Sequence, residues 1–399
     1  MKNKYFPVTI IGGGHAGLTM AILLGQAGIQ VTCIDRENPK KFDTAIDQRT
    51  TAISYGSAKI LEKTGIWKDI QKKACPIEDI QILDGSQSPA LLNFISSETD
   101  REAFGWIVEN HFLRKELINR LKKVKAAKHF SQKTVVDIDT KSEKAVITCE
   151  DGLVIETDLV IGADGRNSLT RQKSGIQNRE WSYDQKAIVC IVEHENDHQN
   201  KAIEHFFAEG PFAVLPMTPH KKGKYRSSIV WTERAKTKKS LLNYDEETFN
   251  HALNVRFPKH YGEVRCISER FAYPLNYQHA YSYIGDKVAL VADAAHGIHP
   301  IAGQGLNLGL RDVECLSRLM IEANQNKEDI GHTALLKQYE QQRRPDVSSM
   351  AAATDNLDSL FGNKSRLLKK LRRVGLKATN QIQPAKQFFI KRAMGDTSY

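Results

Sequence analysis

Three glycines near the amino terminus have the spacing of a pyrophosphate-binding turn. Gly12, Gly14 and Gly17 follow an apolar, β-branched run that ends at Ile11, and a helix-like segment follows them. The first glycine permits a tight turn, the second lets the backbone approach a pyrophosphate, and the third lets helix and strand pack closely. Asp35 ends the next strand-like run, where a carboxylate can accept hydrogen bonds from ribose hydroxyls. The pattern predicts a dinucleotide site that disfavours NADP, and it leaves FAD and NAD as alternatives.

Two later motifs also place an acid directly after a strand-like run. Asp164 lies in the sequence Gly-Ala-Asp-Gly-Arg, for which an ordinary Asp-Gly turn is the alternative interpretation. Asp293 begins a longer motif, which contains a glycine-rich turn and enters a helix-like segment at about Gln304. An acid at a strand end can hold a ribitol hydroxyl, and the turn presents backbone N–H groups to an anionic or electron-rich group.

A metal site is the rival interpretation of two histidines in the longer motif. His296 and His299 have a spacing that a metal ion could use, but Pro300 and the nearby glycines oppose a helix there. No third ligand follows at a regular spacing, whereas protein zinc sites need three or four ligands. We therefore expect no metal.

The segments that must position these motifs change character along the chain. Alternating strand-like and helix-like runs occupy 8–11, 18–27, 30–34, 57–73, 111–124, 158–161, 287–291, 304–322 and 333–360. Short strand-like runs dominate between 180 and 272, where a helix-like piece at 245–256 interrupts them. We predict an α/β fold in which a Rossmann-like domain is interleaved with a sheet-rich domain and followed by C-terminal helices.

The charge of the chain is concentrated at its carboxyl end. The 399 residues include 57 Lys+Arg and 47 Asp+Glu, which gives a net charge of +10. Ten of the basic residues and one acid fall in 364–399, so the rest is nearly neutral and diffuse nucleic-acid binding is disfavoured. The six cysteines form no CxxC pair, which favours reduced thiols. We find no apolar run of 18 residues and expect a mature cytoplasmic amino terminus.

Taken in order, the three motifs resemble those of the class A, single-component flavoprotein monooxygenases, the group of the aromatic-ring hydroxylases. The motif from Asp293 to Gly309 is similar to that of the ubiquinone-biosynthesis hydroxylases of the polyprenylphenol, UbiH-like type. The resemblance covers roughly residues 5 to 350. It implies an FAD-binding domain of the p-hydroxybenzoate hydroxylase (GR2) type built from 1–74, 98–180 and 273–360. A substrate domain would comprise 75–97 and 181–272, and 361–399 would form a basic amphipathic tail.

The resemblance also implies a set of cofactor contacts. The implied FAD-binding residues are Gly12, Gly14, His15, Ala16, Gly17, Asp35, Arg36, Arg49, Asn110, Asp164, Asp293, Gly303, Gln304, Gly305, Leu306 and Asn307. Gly303–Asn307 would lie beside the isoalloxazine, and Asp164 would serve both FAD and NADH or NADPH. Asp35 stands where many relatives have Glu, and either acid can hold a ribose.

The implied reaction is hydroxylation of an electron-rich ring by O2 and NAD(P)H through a flavin C4a-hydroperoxide. The flavin carries this chemistry, which explains why no catalytic triad or carboxylate pair is found. Pro300 and His296 are the candidate catalytic residues, as a wall near the flavin and a member of a proton path. Candidate substrate contacts are Phe207, Phe212, Leu215 and Pro216, with core packing as the alternative for each.

Three functions follow as hypotheses. The first is hydroxylation of a polyprenylated phenol in ubiquinone biosynthesis. The others are hydroxylation of a small soluble aromatic and a non-catalytic FAD-bearing role in a membrane-associated complex. Leu367, Leu371 and Val374 share one face of a basic helix, so residues 364–392 could contact the inner face of the membrane. Packing on the body and binding a protein partner, such as a ubiquinone-biosynthesis complex, are the alternatives.

Overall fold

The computed structural model describes residues 4–39, 49–85, 91–207, 209–221, 223–237, 239–299, 303–362, 365, 372, 375 and 382–395. The helices are α1 His15–Gln26, α2 Tyr55–Thr64, α3 Trp67–Gln71, α4 Asn110–Leu121, α5 Leu169–Lys173, α6 Glu246–Arg256, α7 Gln304–Gln325, α8 Thr333–Gly362 and α9 Gln383–Met394. The strands are β1 Lys4–Ile11, β2 Val31–Asp35, β3 Thr50–Ser54, β4 Cys75–Ile77, β5 Asp79–Asp84, β6 Leu92–Ile95, β7 Gly105–Glu109, β8 Ala127–Ser131, β9 Val135–Asp139, β10 Ala145–Cys149, β11 Val154–Gly162, β12 Asn178–His194, β13 Lys201–Phe207, β14 Gly210–Lys221, β15 Lys224–Arg234, β16 Val264–Cys266, β17 Phe271–Ala280, β18 Ile284–Gly285, β19 Val288–Leu290 and β20 His296–Gly297.

The first sheet carries the amino-terminal glycine turn. Its described strands run in the order β18-β19-β11-β1-β2-β8, with β10 and β9 continuing from β11. β1 lies between β2 and β11 and is parallel to both. Such a strand is covered on both faces, which agrees with the buried run of β-branched residues from Val8 to Ile11. α1 packs against α4 and α7, and its residues from Ala16 to Gly25 are buried.

The second sheet forms the sheet-rich domain. Among the described residues its order is β20-β17-β12-β15-β14-β13-β5-β6, with β16 added to β12. One side, here called the outer face, packs on α6 through an apolar cluster that includes Val214 and Phe249. The other side, the inner face, packs through Ala202 and Met217 on the small sheet β3-β7-β4. The inner face therefore looks toward the first sheet and its glycine turns.

The last described helix packs on the body of the protein. Ile390 and Met394 of α9 are buried against Leu92, Phe94 and Phe104. Among the residues that the structure describes, no helix is both long enough and apolar enough to cross a membrane.

Candidate functional site

In the turn between β1 and α1, two glycines permit close packing and a third leaves open space. Gly12 has φ +106°, and a Cβ there would lie 2.3 Å from the carbonyl oxygen of Ala163. A Cβ on Gly17 would lie 1.9 Å from the carbonyl oxygen of Gly12, so only glycine lets α1 approach the turn. Gly14 is exposed, and a Cβ there would meet nothing within 4 Å. No side chain caps the start of α1 and its first turn holds no acid, so its N–H groups can receive an anion.

The acid at the end of β2 is held in place by an arginine that sequence patterns do not reveal. Asp35 is buried, and its Oδ2 accepts a hydrogen bond from Nη2 of Arg114 at 2.6 Å. Its Oδ1 accepts one from the backbone N–H of Glu37 at 3.1 Å. Arg114 also pairs with the Glu37 carboxylate, whereas the neighbouring Arg36 is exposed. Arg114 of α4 therefore fixes the carboxylate predicted to face the ribose.

The starts of α1, β3 and α4 meet at Asn110. Its backbone N–H donates to the carbonyl of Arg49 at 2.9 Å, and its Oδ1 accepts from the Thr51 hydroxyl at 2.5 Å. Nε2 of His15 lies 3.3 Å from its carbonyl oxygen. The exposed Arg49 guanidinium lies 5.5 Å from the ring centroid of Tyr273. His15, Arg49 and Asn110, which are distant in sequence, thus surround one region next to the glycine turn.

The second and third motifs are joined by arginines. Asp164 accepts hydrogen bonds from the Ser168 hydroxyl at 2.5 Å and the Thr170 N–H at 2.9 Å, so its carboxylate builds the turn that starts α5. Nη1 of Arg171 donates to the carbonyl of Ala294 at 2.9 Å. Arg166 lies 4.0 Å from the carboxylate of Asp293, whose side chain is half-exposed. Asp293 is therefore the more accessible acid of the two motifs.

His296 belongs to a buried charge network. Its Nε2 lies 2.6 Å from Oδ2 of Asp312, and Nε of Arg343 donates to the other oxygen of Asp312 at 2.7 Å. Burial alone would raise the pKa of Asp312, but the charges and hydrogen bonds of His296 and Arg343 lower it to about 2. His299 points elsewhere, with Nε2 at 3.1 Å from Oε1 of Gln185. The network joins α7 and α8 to β20, and the sequence motifs do not identify Asp312.

The start of α7 is shaped by Asn307 and two glycines. Oδ1 of Asn307 accepts from the backbone N–H of Ser54 at 2.9 Å, while Nδ2 donates to the carbonyls of Ala52 and Gly303 at 2.9 and 3.2 Å. Gly303 is left-handed at φ +63°, and a Cβ there would lie 3.2 Å from Cβ of Ala52. A Cβ on Gly305 would meet nothing within 4 Å.

These contacts give the predicted flavin-loop residues different surroundings. Asn307 ties α7 to β3, and the backbone around Gly305 stays open to a ligand. Gln304 is buried and Leu306 is partly buried against the main core. Pro300 lies outside the described residues.

The four predicted substrate contacts fall on two faces of the second sheet. Leu215 packs in the inner-face cluster with Ala52. Phe212 is fully buried in the outer-face cluster, and Phe207 packs against that cluster beside Arg256. Pro216 alternates with Leu215 along β14 and so has the parity of Phe212. The structure brings Leu215 alone of these four to the side that looks toward Gly303.

These features fit FAD. Gly14 and Gly305 each leave a space that a Cβ would fill, one before α1 and one at the start of α7. Neither helix has an acid in its first turn, and a helix N-terminus favours negative charge. Asp35 and Asp293 supply carboxylates at the ends expected for the adenosine ribose and the ribityl chain of FAD. The fold and the site thus define a class of FAD-binding proteins, in which the N-termini of α1 and α7 are open to the cofactor.

Comparison with known proteins agrees with this class. Residues 5–354 match the family described as FAD binding domain. Ubiquinone hydroxylase UbiL of Rhodospirillum rubrum is 40% identical over 98% of this chain and 90% of its own length. The 3-demethoxyubiquinol 3-hydroxylase of Escherichia coli is 31% identical over 99% of this chain and all (100%) of its own length. The crystal structure of p-nitrophenol 4-monooxygenase PnpA from Pseudomonas putida has the same fold, with a TM-score of 0.83 at 17% identity, covering 98% of this chain and 99% of that chain.

The chain belongs to the FAD-binding family of class A flavoprotein monooxygenases, in the group of the ubiquinone-biosynthesis hydroxylases. It is an FAD-dependent enzyme with NAD(P)H as cosubstrate. The predictions of family, fold class, enzyme class and cofactor are confirmed. The individual site residues and the domain boundaries remain predictions.

Proposed function

We propose that this protein hydroxylates the aromatic ring of a polyprenylated precursor of ubiquinone. The observation that carries the proposal is the 40% identity to a ubiquinone hydroxylase along nearly the whole of both chains. The similarity extends over the sheet-rich domain as well as the FAD-binding domain. Because enzymes of one fold can act on different substrates, similarity in this domain supports a similar substrate. Bound FAD supplies the redox chemistry by which NAD(P)H and O2 are used.

The residues of this chain bind and orient the reactants. The open N-terminus of α1 at Gly14 would receive the pyrophosphate of FAD, and Asp35, positioned by Arg114, would hold the adenosine ribose. Asp293 would hold the ribityl side of the cofactor. The N-terminus of α7 would stabilise negative charge on the isoalloxazine, while Asn307 keeps that helix fixed against β3.

The inner face of the second sheet forms the opposite wall of the reaction site. Leu215 and Ala213 alternate with outward-facing residues along β14, and Val230 opposes Ala213 on β15. This apolar wall suits a prenylated ring and excludes water from it. The division into an FAD domain of 1–74, 98–180 and 273–360 and a substrate domain of 75–97 and 181–272 is part of this proposal, and the separate second sheet supports it.

A cytoplasmic location at the inner face of the membrane would suit such a substrate, and we include it in the proposal. Two basic residues of the tail form ion pairs with the body of the protein. Arg372 binds Asp84 and Lys386 binds Glu98, each at 2.5 Å; the first pair is buried, whereas in the second pair Lys386 is buried and Glu98 is partly exposed. The other basic residues of 364–399, such as the exposed Lys391, supply positive charge for an anionic surface. This part is tested by co-sedimentation of the protein with anionic vesicles. Lys391→Glu, in the otherwise unchanged chain, should weaken that binding.

The substrate is tested by a quinone profile. An Escherichia coli strain lacking the 3-demethoxyubiquinol 3-hydroxylase should regain ubiquinone, or should accumulate a differently hydroxylated polyprenyl ring, when this chain is expressed. Asp293→Ala serves as the matched control because it should lose FAD and therefore leave the profile unchanged. If the expressed protein carries FAD and the profile is still that of the empty strain, the purified protein is assayed with a short-chain prenylated phenol and a soluble phenol. If only the soluble phenol is hydroxylated, the proposed polyprenylated substrate is wrong and a small soluble aromatic takes its place.

A further inference from the structure

β13 presents an acid on a face that is otherwise apolar. Along this strand Ile203 belongs to the outer-face cluster, and Ala202 belongs to the inner-face cluster that includes Ala52. Phe206 stacks on Phe361 of α8, with ring centroids 3.6 Å apart. Because side chains alternate along a strand, Glu204 lies on the inner face between Ala202 and Phe206. It therefore faces the side on which Ala52 and Gly303 mark the start of α7.

Among the residues that the structure describes, none pairs with the carboxylate of Glu204. Its partners across the sheet are Ala213 on β14 and Ile82 on β5. Part of the side chain remains accessible, although protein surrounds it densely. Within the described part of the chain, no hydrogen bond or ion pair to its carboxylate is found. Burial therefore raises the pKa of Glu204 to about 7. Acids in such surroundings are normally paired, and unpaired ones are concentrated at functional sites.

The charged groups that face this region from neighbouring elements already have partners. Asp84 of β5 is bound by Arg372. Arg226 of β15 is bound by Glu109 of β7 at 3.1 Å. Asp355 of α8 accepts a hydrogen bond from the Tyr183 hydroxyl. The protonation of Glu204 is thus governed by its apolar surroundings, and a substrate hydroxyl is the polar partner that this wall lacks.

We propose that Glu204 is a catalytic residue that accepts the proton of the substrate's ring hydroxyl. The proposal rests on the proposed function, since it requires a hydroxylated ring against the inner face. The proton passes from the hydroxyl to a carboxylate oxygen of Glu204, and the O–H bonding pair stays on the ring oxygen. The resulting phenolate is richer in electrons at its ortho and para carbons, which are the positions that accept a hydroxyl group. When the ring regains aromaticity, its displaced hydrogen leaves as a proton to solvent and Glu204 returns its own proton to the ring oxygen.

An acceptor with a pKa near 7 suits this task. A free phenol ionises near pH 10, so little phenolate exists at neutral pH. A general base works best when its own pKa lies close to the working pH, and its contribution is typically about 10²–10⁴-fold in rate. The ionised form of Glu204 is the active one, so the hydroxylation rate should rise with pH through about 7.

The test compares Glu204→Gln with Glu209→Gln in the FAD-loaded enzyme. Both changes replace a carboxylate by an amide on the same hairpin, but Glu209 is exposed and its ion-pair partner is Arg256 on the outer side. The probe is a short-chain prenylated phenol in detergent micelles, with product measured by mass spectrometry. We expect Glu204→Gln to lower kcat by about 100-fold or more, with little change in KM and with full FAD content. Glu209→Gln should behave as wild type.

Two further measurements distinguish a proton acceptor from a residue that only supports the fold. The rise in rate near pH 7 should vanish in Glu204→Gln and persist, at a lower rate, in Glu204→Asp. A phenol acidified by a ring fluorine should reduce the gap between wild type and Glu204→Gln, because it ionises without help. Wild-type kcat and an unchanged pH profile in Glu204→Gln would overturn the proposal and leave the proposed function intact. If the wild-type enzyme binds FAD but does not hydroxylate the probe, both the role of Glu204 and the proposed function would be wrong.

Discussion

Two glycines of one motif should fail in different ways when each is replaced by alanine. In Gly17→Ala the new Cβ would lie 1.9 Å from the carbonyl oxygen of Gly12 and 3.3 Å from Cβ of Ala163. In Gly14→Ala the new Cβ would meet no protein atom within 4 Å. The φ of Gly14 is −72°, which alanine adopts without strain. The same methyl group therefore tests packing at one position and the approach of a ligand at the other.

The magnitudes follow from these distances. An ordinary van der Waals contact is about 3.5 Å, so α1 must move by more than about 1 Å to accommodate Gly17→Ala. The obstruction is backbone, and overpacking of this kind costs about 3 kcal/mol of unfolding free energy. In Gly14→Ala, reduced freedom of the unfolded chain stabilises by about 0.4–1 kcal/mol, and a poorer helix cap offsets this gain. The net change in the stability of the apoprotein should be within about 0.5 kcal/mol.

The assay pairs urea unfolding of the apoprotein with FAD titration by flavin fluorescence. Gly17→Ala should lose both stability and FAD affinity. Gly14→Ala should unfold like wild type and bind FAD at least about tenfold more weakly, which corresponds to about 1.4 kcal/mol. Wild-type FAD affinity in Gly14→Ala would refute the assignment of the pyrophosphate to this turn. Unchanged unfolding of Gly17→Ala would refute the packing argument.

Three other changes have defined outcomes. Asp312→Asn should cost about 3–5 kcal/mol in urea unfolding, because it removes the carboxylate charge that pairs with the buried Arg343 and contacts His296, whereas the half-exposed Asp293→Asn should cost less than about 0.5 kcal/mol. The pKa of Glu204 is raised to about 7 in the folded protein, so its contribution to stability is complete below pH 4.5 and is lost as pH rises through about 7. Between pH 4 and 8, the unfolding free energy of Glu204→Gln should therefore rise by up to about 3 kcal/mol relative to that of wild type, measured by urea unfolding. Removing 382–399 should uncover Phe94 and increase binding of an apolar dye, and dye binding equal to that of wild type would contradict the packing of α9.

The fold could be predicted where its signals are local. β1, the glycine turn and α1 follow from a β-branched run, three glycines and an apolar helix that are adjacent in sequence. β3, β4 and β7 were not predicted, because they are short and their stability comes from pairing with one another and from packing under the second sheet. One of the short strand-like runs between 180 and 272, residues 186–193, is the middle of β12, which extends from Asn178 to His194 because β15 and β17 pair along its two edges.

The sequence motifs predict where the candidate site lies, but they do not predict which residues contact one another within it. Asp164 and Asn307 are predicted to contact the cofactor, and in the structure their side chains bond to protein segments that build the site, which the motifs do not predict. Arg114 and Asp312 lie outside any spacing rule, since each acts on a residue far away in the chain. Glu204 did have a signal, because it is the charge in the alternating positions Ala202, Glu204 and Phe206. Such a signal gains meaning only when the sheet shows which face is turned inward.

The position of β1 between β2 and β11 sets the order in which a nascent chain can acquire its cofactor. β2 emerges from the ribosome soon after β1, and β11 follows once residue 162 has been made, but β19 and α7 follow only after most of the chain has been made. At about 5–20 residues per second, roughly 15–60 s separate the synthesis of Gly17 from that of Gln304. One edge of β1 lacks its partner until β11 is made, and the glycine turn lacks the helix α7 for the whole interval. Cofactor loading is therefore a late event of biosynthesis: a fragment that ends before β11 leaves one edge of β1 unpaired, and a fragment that ends before α7 lacks the second helix N-terminus predicted to face FAD.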